Sequence, residues 1–235
     1  MIVREIIHLR EETRHEEAFR TLDFGSLTGI LSLALKALAY EVHCVDVEPI
    51  AIEYGGFYEK YDLKLKPLLN GYKLPYEDGY FDCVIFSEVL EHLYDSPLEI
   101  LTEFKRILKP GGHLVLTTPN VMRIENKLKF LLNINIYQDI QRYVYYPRYA
   151  LHFREYSRKD LETLLEEYLG YFPVRVKMFD FAAGRSRLRR AVQRCLYVIN
   201  LILPMFKGTM LAVARNDPSR QPNVSRAIPT SGEQS

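Results

Sequence analysis

Cysteine is scarce: Cys44, Cys83 and Cys195 are scattered along the chain, with no CxxC spacing. That argues against a disulfide framework and reads as reduced, mostly buried thiols of a cytoplasmic protein. A charge imbalance is also missing. Thirty-one Lys and Arg stand against 30 Asp and Glu, a net charge of +1 that gives no global reason to expect nucleic acid. No apolar run reaches the roughly 18–20 residues that a membrane span needs. The opening stretch MIVREIIHLREETRHEE is too charged for a secretion signal. The loop LDFGSLTG (22–29) has Gly25 and Gly29 but no third glycine after them. It therefore lacks the GxGxxG that seats a pyrophosphate, and a nicotinamide enzyme is disfavoured.

What is present is an alternation of strand and helix signals. Helical spacing runs over 2–20. Arg20–Phe24, Tyr40–Val47, Lys64–Leu69, CVIFS (83–87), HLVLTT (113–118), PVRVKMF (173–179) and TMLAVAR (209–215) read as seven strands, with YEVHCVDV carrying the β-branched content of a buried parallel strand. Between them lie helical stretches at Thr28–Leu38, Ile50–Tyr61, a Ser96-Pro97 start running to Leu108, 157–170 and 185–203. Val89–Leu93 starts a helix or a turn, and KPGG (109–112) stops the helix before it. This order predicts an α/β fold: one domain over 1–215, a doubly wound, seven-stranded, mostly parallel sheet covered on both faces. The stretch 120–156 breaks the alternation and reads as an insertion after the fifth strand. Asn216–Ser235, with three prolines and no aromatics, reads as a disordered tail.

In such sheets the ligand sits at the carboxyl ends of the strands. The glycine loop brings backbone N–H groups to it, and an acid ending the second strand takes ribose hydroxyls. Asp46 of VDVEP is that acid. Four stretches in order, LDFGSLTG, VDVEP, NGYKLPYEDGYFDCVIFSEVLEHL and LKPGGHLVLTTPN, resemble the class I S-adenosylmethionine-dependent methyltransferases, over about residues 20–215. The resemblance implies their Rossmann-like fold and S-adenosyl-L-methionine as cofactor. It places Asp23, Gly25, Ser26 and Gly29 near the methionine part, and Asp46 and Val47 at the ribose. Asn70 and Gly71 fall near the adenine, and Ser87 at the base of the pocket. Leu27 stands where the family carries glycine, and Asn70 where it often has Asp. A positive φ at Leu27 costs about 1–2 kcal/mol and crowds the methionine carboxylate; a negative φ turns the side chain to the helix packing.

Methyl transfer from a sulfonium needs alignment and, for a hydroxyl acceptor, a base. Glu91 and His92 of SEVLEHL and His152 of LHFREYS are the candidate catalytic residues. ExxEH with a distant histidine also resembles the divalent-metal site of small-RNA 2′-O-methyltransferases, and ubiquinone-type O-methyltransferases carry a similar ExxEH. On that reading Glu88, Glu91, His92 and His152 hold an ion; the favoured assignment places none there. The insertion, dense in Tyr and Arg, is expected as a lid over a small-molecule, lipid-like or sugar acceptor, methylated at oxygen. Arginines and apolar residues over 185–206 raise peripheral membrane contact as an option. A methyltransferase-like binding protein that has lost catalysis and an RNA methyltransferase remain as alternatives.

Overall fold

The computed structural model describes residues 1–13, 18–68, 71–180 and 204–223. Seven strands form one sheet: β1 (Arg20–Phe24), β2 (Glu41–Val47), β3 (Lys64–Leu68), β4 (Phe81–Ser87), β5 (Leu108–Pro119), β6 (Tyr171–Phe179) and β7 (Thr209–Asn216). Their order is β3-β2-β1-β4-β5-β7-β6. The first five are parallel, while β7 lies antiparallel between β5 and β6. The chain reverses strand order beside β1, so the carboxyl ends of β1 and β4 flank a crevice.

Helices α1 (Ile2–Thr13), α2 (Ile30–Ala37) and α3 (Glu48–Lys60) are followed by α4 (Leu98–Ile107), α5 (Ile124–Leu131), α6 (Ile140–Tyr145) and α7 (Arg158–Glu162). Strand alternation divides the interior into two layers. Val84 and Phe86 of β4 point into one with Phe104 of α4 and Leu161 of α7. Cys83 and Ile85 point into the other with Ile6 and Leu9 of α1, Leu35 of α2 and Tyr58 of α3. Both central strands, β1 and β4, are buried along nearly their whole length, so even Thr21, Asp23 and Asp82 within them are buried beside the apolar side chains.

Several expected boundaries move for local reasons. The first helix is described over Ile2–Thr13, residues 14–17 lie outside the described residues, and Arg20, expected as the helix end, already opens β1. The helix after the glycine loop begins at Ile30 because Gly29 is left-handed (φ 69°). KPGG does more than stop a helix: it is the opening of β5, with a register shift between Phe81 and Cys83 on its partner β4. Gly112 is needed there, since a Cβ would lie 3.0 Å from the Lys109 carbonyl oxygen and 3.1 Å from that of Asp82. The expected helix over 157–170 starts with a Ser157–Asp160 capping box and widens into a π turn at Thr163–Tyr168. Asn216 belongs to β7 and donates to the Lys105, Leu108 and Lys109 carbonyls, so the chain stays packed past the expected tail boundary; Asn223 N–H still reaches Tyr168 O (2.7 Å). The tail from 224 onward, the helix expected over 185–203 and Cys195 lie outside the described residues, as does Asn70. No described helix is long and apolar enough to cross a membrane.

Residues 120–156 leave the carboxyl end of β5, carry α5 and α6, and expose much apolar surface: Phe130 is 77%, Tyr137 80% and Tyr145 82% exposed.

Candidate functional site

The glycine loop connects β1 to α2 and closes on itself. Gly25 N–H donates to Val45 O (2.8 Å) and Gly29 N–H to Ser26 O (2.8 Å). Gly25 (φ 76°) has Val89 so close that a Cβ would meet its Cγ2 at 2.3 Å. Leu27 takes φ 45°, so the strained alternative is the one adopted. Its side chain is nonetheless 50% exposed rather than packed in the core. The Leu27 N–H donates to Asp46 Oδ2 (2.7 Å), and Val47 N–H to Oδ1 (2.8 Å). Each oxygen of that carboxylate keeps a further lone pair. Gly71 is exposed and left-handed (φ 65°) beyond the end of β3.

Sequence reading missed the strut that holds this loop. Tyr58, buried in α3, donates to Ser26 Oγ (2.8 Å), with Leu27 O at 3.2 Å, and its ring lies 3.0 Å from where a Gly29 Cβ would stand. Tyr58 stands 32 residues after Ser26, and no local pattern marks it. Asp23 lies beneath the loop rather than at its rim: it is 2% exposed and accepts from Ser32 Oγ (2.5 Å), which in turn takes the Cys44 thiol (3.2 Å). Burial, with Asp46 adding, pushes the Asp23 carboxyl up to about 6. A raised carboxyl pKa favours the folded state while protonated, and this contribution is lost as pH rises from about 4 through 6. Asp23→Asn is therefore expected to cost about 2 kcal/mol less at pH 7.5 than at pH 4.5, measured by urea unfolding. An equal cost at both values would contradict the assignment.

The second half of the site follows β4. Ser87 Oγ and Thr117 Oγ1 are hydrogen-bonded (2.8 Å) across β4 and β5. Glu88 is left-handed (φ 55°), and only Leu90–His92 form a single 3₁₀ turn, so the shared helical face expected for Glu88 with Glu91 and His92 does not form. Glu88 still faces Glu91 electrostatically, and its Oε1 is buried without a partner. Glu91 is 1% exposed and accepts from Thr118 Oγ1 (2.9 Å), while its main-chain oxygen takes the Phe153 N–H (2.8 Å). Burial first and the Glu88 charge second push its carboxyl up to about 7.

His92 Nδ1 donates to Leu151 O (2.9 Å), which leaves Nε2 with its lone pair. Burial, then His152, lowers its pKa and keeps it neutral. The insertion returns His152 to this point: the two imidazoles meet edge to face with centroids 4.7 Å apart. Glu155 stands 3.6 Å from His152 Nδ1 and is held by both Arg123 guanidinium nitrogens (2.5 and 3.0 Å). Despite its burial, the His152 and Arg123 hydrogen bonds hold the Glu155 carboxyl down at about 2. Arg123 and Glu155, from the two ends of the insertion, were not singled out in the sequence; their pairing depends on where the insertion closes. Donor atoms of Glu91, His92 and His152 all lie within 4.8 Å of one another.

A conserved-domain family described as "Methyltransferase domain" matches residues 3–168. A mitochondrial ubiquinone biosynthesis O-methyltransferase of Schizosaccharomyces pombe is 33% identical over 184 residues, covering 69% of this chain and 63% of that protein. This chain thus spans less than two thirds of that relative's length. Among solved structures, a SAM-dependent methyltransferase from Archaeoglobus fulgidus superimposes with a TM-score of 0.57 at 20% identity, over 90% of this chain and 94% of that one. One from Methanosarcina mazei gives 0.59 at 19% identity, over 90% and 97%. The fold agrees with both, and with the family match spanning most of its length, the chain belongs to the class I S-adenosylmethionine-dependent methyltransferases.

Proposed function

We propose that the protein transfers the methyl group of S-adenosylmethionine to a hydroxyl of a small, partly apolar acceptor. The observation that carries this reading is a juxtaposition. The glycine loop tied to Asp46 and the Glu91–His92–His152 cluster stand at the carboxyl ends of neighbouring strands, with Ser87 between them. The loop suits the cofactor: a carboxylate with spare lone pairs faces the crevice, and left-handed glycines let the backbone come close. When bound, the sulfonium supplies an activated methyl carbon. The chain supplies alignment and a base. Asp46 and Val47 hold the ribose end, the loop from Gly25 to Gly29 the methionine end, and Asn70 with Gly71 the adenine. His92 Nε2 takes the acceptor proton, and His152 and Glu91 fix its surroundings.

The exposed tyrosines and apolar residues of 120–156 suit a lid over a lipid-like acceptor. The name of the Schizosaccharomyces pombe relative supports oxygen as the methylated atom. The test is transfer of labelled methyl from S-adenosylmethionine to a panel of phenols, prenylated phenols and sugars. Transfer to an oxygen of one of them is expected; cofactor binding without turnover on any would favour the binding-protein alternative.

Leu27 is the residue on which that alternative leans. Its left-handed conformation (φ 45°) is already adopted without cofactor, so binding need not add that strain. Leu27→Gly is expected to change the cofactor Kd by less than about threefold. A tenfold gain would mean that the leucine obstructs the seat.

One observation favours a second reading of the catalytic cluster. Two imidazoles and a carboxylate converge, a set that suits a borderline or hard divalent cation, and the nearby Glu88 charge, with one buried unpartnered oxygen, acts on Glu91. On this reading Glu91, His92 and His152 hold the ion, which would polarise the acceptor hydroxyl. Activity abolished by EDTA and restored by a divalent metal would establish it; activity indifferent to EDTA leaves His92 as the base.

A further inference from the structure

The far end of β5 carries a second cluster that methyl transfer does not use. His113 opens the paired part of β5, opposite Arg215 of β7, and Arg175 of β6 lies one step across, opposite Val213. By strand rise His113 is about 17 Å from Thr118 at the methyl-transfer end. These residues line a cavity of about 350 Å3 closed on one side by the end of α1 at Glu12 and Thr13.

Three features make it more than two surface arginines. The Arg215 guanidinium is laid against Gly111, where an added Cβ would come within 3.2 Å of Nη2; the glycine (φ 81°) leaves room for it. His113 is 9% exposed, and its Nδ1 is buried without a hydrogen-bond partner. Neither Arg175 nor Arg215 makes an ion pair among the described residues. Among the described residues the acid on the wall is Glu12, whose Oε1 lies 3.1 Å from His8 Nε2. Two exposed guanidiniums and a buried imidazole thus line one cavity with Glu12 as its acid among the described residues, an excess of positive charge, and guanidinium forks match oxyanions bidentately.

We propose that this cavity binds a phosphate-class oxyanion, as free phosphate or as the monoester of a small molecule, between Arg175 and Arg215 and over His113. The cavity sits at the lower end of the sizes that small-ligand pockets have, which leaves space for an organic group on the phosphate. Burial and the adjacent Arg215 charge hold the empty-site imidazole neutral, with its pKa down at about 4. An anion between the arginines offsets that charge.

The test follows the His113 imidazole by long-range ¹H–¹⁵N NMR on the full chain, assigned with His113→Gln. Inorganic phosphate and glycerol 3-phosphate are titrated in separate arms, against sodium chloride at matched ionic strength. The expected result is a saturable shift with at least one of the two anions, weakened about tenfold or more in Arg175→Ala and in Arg215→Ala. Calorimetric binding of S-adenosylhomocysteine should stay unchanged in both variants, which shows that they are folded and keeps this outcome separate from the cofactor reading. A tighter fit to glycerol 3-phosphate identifies a monoester, and equal fits identify phosphate alone. No saturation in either arm, a shift that chloride reproduces, or saturation that survives both arginine variants overturns the proposal.

Discussion

Replacing Asp46 by alanine is expected to weaken S-adenosylmethionine binding by about 10- to 100-fold, because hydrogen bonds to a charged group are worth roughly 1.5–3 kcal/mol. Two losses combine in that figure. The carboxylate oxygens that would accept the ribose hydroxyls disappear, and so do the acceptors for the Leu27 and Val47 N–H groups. The loop is then held by the Tyr58–Ser26 hydrogen bond and the Gly25 and Gly29 backbone bonds alone. Asp46→Asn separates the two. It keeps one acceptor oxygen and replaces the other with a donor, so one of the two N–H partners is lost. An intermediate affinity is expected, measured by equilibrium dialysis. Unchanged affinity in Asp46→Ala would place the ribose elsewhere.

The second large effect belongs to His92. Asparagine at this position places an amide donor near the position of Nδ1, so the bond to Leu151 O survives, and only Nε2 is removed. For His92→Asn, kcat is expected to fall about 10²- to 10⁴-fold, the range of general base catalysis, with cofactor affinity retained. A fall confined to KM would make His92 an acceptor-binding residue without a role in proton removal. His152→Ala should have a smaller effect, since its imidazole meets the first only edge to face. If the cluster is instead a metal site, both variants should lose metal together.

The two parts of the site differ in how far the sequence disclosed them. The fold was legible because short stretches rich in apolar and β-branched residues, such as HCVDV of β2 and CVIFS of β4, alternate with helical spacing along the chain, and these strands are buried. Asp46 was legible because an acid ending the second strand, about twenty residues after a glycine loop, has a fixed place in this geometry. Tyr58 was not, because its hydroxyl reaches Ser26 from a different helix. The spacing of Glu91 and His92 suggested a helical face, yet Glu88 turns left-handed and the segment closes in one 3₁₀ turn. His152 was visible only as a histidine beyond the insertion. Its distance to His92 is set by the Arg123–Glu155 pair that ties the insertion's two ends together, a contact with no sequence period. The antiparallel β7 likewise leaves no local signature, since a strand buried on both faces reads alike in either direction.

The proposed chemistry rests on the crevice beside β1 taking an adenosyl sulfonium ligand despite Leu27. The most direct test is isothermal titration calorimetry of the wild-type chain with S-adenosylhomocysteine. One-to-one saturable binding, weakened more than about tenfold by Asp46→Ala, is the predicted result. No detectable heat at millimolar ligand would contradict it.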